Sequence, residues 1–311
     1  MSLFATKRAL FTSVATASVA GAFYYTYSPS RYAAAPTKML PAYEATFSVA
    51  LECDECVKDI SSALEKLPGI QSTTFSIPTS MLTTTGTTPP SAIISAIQST
   101  GRPAILRGSG RSNSAAVCIL ELPPTPLSSN SDLRPTPNLV RGLIRLIELS
   151  APPSPPPPPV QSNAALGVDQ DPVTLLDLTL TGMMPGTYVA SLRRSGDISE
   201  GAKSMGKVFS GLQDTRNGEL GEVKVNEEGR GELVGEINWP IWEAVGRGII
   251  VQREGGGESA SEIKDDGGRE EVVVGVVARS AGVWENEKVV CGCSGKTVWE
   301  EREEMVGKGM V

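Results

Sequence analysis

Between Tyr43 and Leu106 the hydrophobic period alternates between that of a strand and that of a helix, and this order constrains the fold more than any other feature of the chain. Tyr43 to Ala50 reads as a strand. Glu52 to Lys66 places Val57, Ile60, Ala63, Leu64 and Leu67 on one helical face, and Pro68-Gly69 stops it. Ile70 to Ile77 and Met81 to Thr87 read as two further strands. Pro89 and Pro90 open a second helix, Ser91 to Ser99, with Ile93, Ile94 and Ile97 inward. Gly101 ends that helix, and Pro103 to Leu106 closes the pattern as a last strand. The order βαββαβ predicts a ferredoxin-like unit over residues 41–107.

A Gly/Ser linker, Gly108 to Ser112, precedes a change of texture. Strands are expected at Ala115–Glu121, Gly142–Glu148, Thr174–Thr181 and Thr187–Arg193, then at Gly221–Val225, Gly231–Ile237, Gly248–Gln252 and Glu271–Arg279. Many short strands with Gly-bounded turns indicate an antiparallel barrel or sandwich, over residues 113–282. The class is therefore α+β, with a flexible tail at 283–311. Two low-complexity insertions interrupt the β region: the proline tract Pro152–Pro159 and the acidic, Gly-rich stretch Gly255–Gly268.

Residues 1–40 stand apart. They contain Lys7, Arg8, Arg31 and Lys38, with no acid before Glu44, and an uncharged run from Ala9 to Tyr27. This composition fits a mitochondrial targeting segment or a marginal membrane anchor. Cytoplasmic residence is expected, with a share in the mitochondrial intermembrane space through this extension. The net charge of −7 removes an electrostatic case for nucleic acid.

The chain has no histidine and five cysteines. Without imidazole, histidine-bound zinc and Ser-His or Cys-His catalysis are excluded. Thiolate chemistry remains. Cys53 and Cys56 form a CxxC at the entry to the first helix, where the helix N-terminus favours thiolate and two sulfurs converge on one ion. Copper(I), a redox pair, or half of a four-thiolate zinc site all fit this motif, and its placement favours copper(I). The adjacent Asp54 and Glu55 are expected to raise the thiol pKa. Cys291 and Cys293 form a CxC, whose sulfurs share one side of an extended backbone. They can hold copper(I), or form a strained, oxidising disulfide. Cys118, in an apolar strand, reads as a core residue.

With these residues in place, the chain resembles the copper chaperones for superoxide dismutase, of the fungal type, over residues 42–302. The resemblance runs from Tyr43-Glu44-Ala45-Thr46-Phe47 to Cys53 and Cys56, through Pro68-Gly69-Ile70, Arg107-Gly108-Ser109-Gly110 and Ser114-Ala115-Ala116-Val117. Its most specific part is Ala278 to Asn286, then Cys291-Gly292-Cys293 and Gly295 to Arg302. Leu51 stands where the family has Met. The resemblance implies a superoxide-dismutase-like Greek-key barrel. In it, Ser191 and Arg193 replace copper histidines, Val208 replaces the bridging histidine, and Ala202 and Val274 replace the disulfide cysteines. Such a barrel is kept for docking, not dismutation.

The expected function is thus a metallochaperone, not an enzyme in the ordinary sense. Cys53 and Cys56 hold Cu(I), the β domain pairs with copper–zinc superoxide dismutase, and Cys291 and Cys293 transfer copper and a disulfide to it. A homodimer is a further possible assembly, and a membrane contact requires the N-terminal segment. The alternative is a zinc-stabilised or membrane-anchored adaptor that binds partners through its β domain.

Overall fold

The computed structural model describes residues 40–123, 140–149, 173–211, 217–254, 272–286, 288–290 and 294–307. The N-terminal extension apart from Leu40, the proline tract and the acidic Gly-rich stretch lie outside them. No helix among the described residues is long and apolar enough to cross a membrane.

The first unit is the expected βαββαβ: β1 (Tyr43–Val49), α1 (Asp54–Leu64), β2 (Ile70–Ser76), β3 (Met81–Gly86), α2 (Pro90–Ser99) and β4 (Ala104–Ser109). Its antiparallel sheet has the order β2-β3-β1-β4. Phe47, Ile60, Leu64, Leu82 and Ile97 are all but fully buried between sheet and helices, each stabilising the unit by ~1.5–3 kcal/mol on burial. Helix α1 stops at Leu64, ahead of Pro68, because the proline ring disfavours helical backbone at the residue before it. Gly101, at φ +82°, supplies the left-handed residue that ends α2, and its N–H donates to the Gln98 carbonyl at 2.9 Å. Strand β4 continues to Ser109, so the first two residues of the expected linker are sheet.

The second unit is a closed barrel of eight strands: β5 (Ala115–Glu121), β6 (Val140–Glu148), β7 (Thr174–Leu180), β8 (Gly186–Leu192), β9 (Glu219–Val225), β10 (Gly231–Ile237), β11 (Gly248–Arg253) and β12 (Val272–Arg279). Around the ring the order is β10-β7-β6-β5-β12-β11-β8-β9. The chain crosses between β7 and β8 and again between β10 and β11, which are Greek-key connections, and closure removes the open edges. A short helix, α3 (Ile241–Ala244), has its Ile241 N–H held by Glu148 Oε2 at 2.8 Å. Cys118 lies in the barrel core with no exposed surface, and burial pushes its thiol pKa up.

The two units share a core. Ile147, Leu149 and Leu175 of the barrel side belong to the same apolar cluster as Phe47, Ile93 and Ile97. At the seam, fully buried Asp177 on β7 accepts from the backbone N–H of Ser91 at 2.9 Å, capping α2 from the other unit. Arg145 on β6 reaches the same carboxylate oxygen at 3.5 Å. Tyr43 donates to the Thr88 carbonyl at 2.5 Å beside this pair, and burial, then the Asp177 charge, pushes its phenol pKa up.

A fourth helix, α4 (Val298–Gly307), occupies the C-terminal region, where no element was expected from sequence. It starts with a capping box. Glu300 N–H donates to Thr297 Oγ1 at 3.2 Å, and Thr297 N–H donates to Glu300 Oε2 at 2.7 Å.

Candidate metal centre

Strand β1 delivers the chain through Leu51 to Cys53, whose extended backbone (φ −156°, ψ 172°) is the N-cap of α1. Three residues on, Cys56 sits in the first turn on the same face, which is why this spacing brings the sulfurs together. The Sγ atoms are 3.5 Å apart. That is well beyond the ~2.05 Å of a disulfide, so the pair is a dithiol. A thiolate bond to a d¹⁰ ion of ~2.3 Å spans up to ~4.6 Å between sulfurs across one ion. Opening the pair by about 1 Å therefore gives a near-linear clasp.

The two thiols differ. Cys53 is exposed and Cys56 is buried. The Cys56 thiol is lowered to about 7, chiefly by the Glu52 backbone N–H, then by the Cys53 side chain and backbone N–H, then by the Arg102 guanidinium. Asp54 and Glu55 point to solvent and do not prevent this, so the expected upward push on the thiol is outweighed by the donors converging on Cys56. Arg102 also holds Asp59 at 3.0 Å. It lies at the head of β4, far from Cys56 in sequence, and no motif signalled it; only the pairing of β4 with β1 brings it there. Leu51 is buried in the same apolar cluster as Cys56, so the thioether position of the motif is filled here by a packing side chain.

Cys291 and Cys293 lie outside the described residues. Their flanks are described. Val290 pairs with Thr297 as an isolated antiparallel bridge, and the Val298 N–H donates to the Val289 carbonyl at 3.0 Å. This bridge thereby sits at the capped start of α4. Among the described residues no group of three or more Cys, Asp and Glu side chains could hold a metal ion.

In the barrel, Ser191 and Arg193 are buried, and Arg193 bridges Val208. A hydroxyl, a guanidinium and an isopropyl group do not form a donor set for a divalent ion. Ala202 and Val274, where the resemblance placed disulfide cysteines, meet in one small apolar cluster with Met205 and Ile250. Exposed Ile119, Ile198 and Trp242 come from segments that converge where Gly196 and the Val276 side chain pack around the Gly246 carbonyl.

Residues 46–103 match the model of the heavy-metal-associated domain. The chain is similar to the superoxide dismutase 1 copper chaperone of Debaryomyces hansenii, 37% identical over 288 residues, covering 88% of this chain and 99% of that protein. The protein of the same name from Saccharomyces cerevisiae is 32% identical, over 86% of this chain and 97% of its own length. The human copper chaperone for superoxide dismutase is 28% identical, over 85% and 90%.

Proposed function

This chain belongs to the family of copper chaperones for superoxide dismutase, and from that premise we propose that it binds copper(I) through thiolates and loads it into a copper–zinc superoxide dismutase. The observation that carries the reading is the pair of sulfurs 3.5 Å apart at the N-terminus of α1, one of them with its pKa lowered to about 7. Thiolate is the form that binds metal, and a soft ion of low coordination needs only two.

Cys53 and Cys56 hold the copper(I) cargo. The barrel docks on the dismutase, and the exposed apolar side chains Ile119, Ile198 and Trp242 support an apolar contact. Cys291 and Cys293 pass copper onward. Once oxidised to a disulfide by an external two-electron oxidant such as dioxygen, which leaves as hydrogen peroxide, they also exchange with a target dithiol. A target thiolate attacks one sulfur, a mixed disulfide forms, and the second target thiolate displaces it. The target gains the disulfide, the CxC pair leaves as two thiols, and two electrons move between them.

The test is to measure copper(I) stoichiometry and loading of metal-free dismutase for the full chain beside Cys53→Ser/Cys56→Ser and Cys291→Ser/Cys293→Ser variants. Loss of one copper with each pair, and loss of dismutase loading with the second, is the expected result. A single zinc that requires all four cysteines, or unimpaired loading by the Cys291→Ser/Cys293→Ser variant, sinks it.

A further inference from the structure

The segment that leads from the barrel to the CxC pair is bound to the ferredoxin-like sheet. Past β12 the chain turns onto the outer edge of β4. Ser109 N–H donates to the Ala281 carbonyl at 3.2 Å, and Val283 N–H donates to the Gly110 carbonyl at 3.0 Å. Gly108 faces Gly282 so closely that a Cβ built on it would lie 2.1 Å from the Gly282 carbonyl oxygen, a contact with backbone that only glycine permits. Glu285 folds back to accept from the Gly282 N–H at 2.7 Å.

Arg107 then fastens the next stretch. Its Nε and Nη2 donate to the Asn286 carbonyl at 3.1 and 2.9 Å, and Nη2 also reaches Asn286 Oδ1 at 3.3 Å and the Lys288 carbonyl. Arg107 is only 6% exposed, and a buried guanidinium is retained where its fork is satisfied. Trp284 is held at φ +65°, half-exposed, a backbone state that a bulky residue keeps only when its neighbours enforce it. Ala281 and Val283 are thus held at Ser109 and Gly110, and Asn286 and Lys288 at the Arg107 side chain, so the strap is fixed to this edge of the sheet at both its ends.

We propose that Arg107 is a positioning residue: its side chain clamps Asn286 and Lys288 to the ferredoxin-like unit and so sets the point from which the CxC pair ranges when it loads the dismutase. The clamp explains why Arg107-Gly108-Ser109-Gly110 and Ala281 to Asn286, remote in sequence, form one contact. Its functional consequence rests on the chaperone reading. From Lys288 to Cys291 the chain spans at most ~11 Å, so the clamp limits how far the CxC pair ranges from β4 and raises its effective concentration for a partner held at that edge.

The experiment compares the full chain with Arg107→Ala, Arg107→Lys and Glu285→Ala. Trypsin cleavage after Lys288 is followed by mass, copper(I) affinity of Cys53 and Cys56 by chelator competition, and copper loading of metal-free dismutase by metal analysis. Arg107→Ala is expected to speed that cleavage and slow loading, each about tenfold, with affinity unchanged. Lysine, which keeps the charge without the fork, should rescue only in part. Glu285→Ala loosens the strap without touching β4 and should reproduce both effects, which covers the case of an Arg107 variant that fails to fold. Cleavage after Lys288 no faster than in the unaltered chain overturns the clamp. Faster cleavage with undiminished loading overturns its positioning role. An unaltered chain that loads no copper overturns the chaperone reading instead, and the cleavage rates then decide the clamp on their own.

Discussion

Removing the Asp177 carboxylate should weaken the joint between the two units about as much as truncating a large apolar side chain at the seam. Asp177 is fully buried, and one oxygen, Oδ2, accepts from both the Ser91 N–H at 2.9 Å and Arg145 at 3.5 Å. Asp177→Ala strips α2 of its cap, worth ~1 kcal/mol. It also leaves the buried Arg145 guanidinium without a counter-charge, worth ~3–5 kcal/mol. Because the two losses share one oxygen they do not add, and a total of ~3–5 kcal/mol is expected. Replacing the pair together, Asp177→Leu with Arg145→Met, removes the stranded charge and should cost less than Asp177→Ala alone. The assay is urea unfolding of the full chain followed by far-UV circular dichroism, arranged as a double-mutant cycle. A loss below about 1 kcal/mol for Asp177→Ala, or a double variant that costs the sum of the singles, would refute the argument.

In metal-free protein, alkylation of Cys56 should rise with pH to a midpoint near 7, and Arg102→Ala should move that midpoint upward; an unmoved midpoint excludes the guanidinium as a cause. Tyr43 and Cys118 have folded-state pKa values raised by burial. Their contribution is therefore intact below the unfolded pKa and is lost as pH rises beyond it. Above pH ~10 stability should fall by ~1.4 kcal/mol per pH unit for each group, and Tyr43→Phe should remove one such slope in chemical unfolding. Thr297→Ala should destabilise α4 by ~0.5–2 kcal/mol, read as faster hydrogen exchange over residues 299–305, with the barrel amides unaffected.

The βαββαβ order and the barrel strands were legible because period-two and period-3.6 hydrophobic patterns each bury one face of an element. The Cys53–Cys56 pair was legible for the same local reason: i and i+3 share a face of a helix. The low pKa of Cys56 was legible only in part: the Glu52 and Cys53 donors that chiefly lower it are local to the helix start, whereas Arg102 reaches it through the register of β4 on β1. The acids at Asp54 and Glu55 were the visible local charges and suggested the opposite shift. Helix α4 escaped notice because its residues bury no face, and its stability is local to the Thr297–Glu300 capping box.

By itself the sequence determined the chemistry available to this protein. Five thiols and no imidazole leave soft-metal binding and thiol–disulfide exchange, and the periodicities set two kinds of sheet in order. Tertiary structure alone decided how the parts address one another. It placed Asp177 on the start of α2, Ala202 against Val274, and Arg107 on Asn286 and Lys288. The physical reason is range. Side-chain chemistry and hydrophobic period are properties of neighbours along the chain, whereas a shared carboxylate or a clamped carbonyl exists only after sheet registers have brought distant residues within ~3 Å.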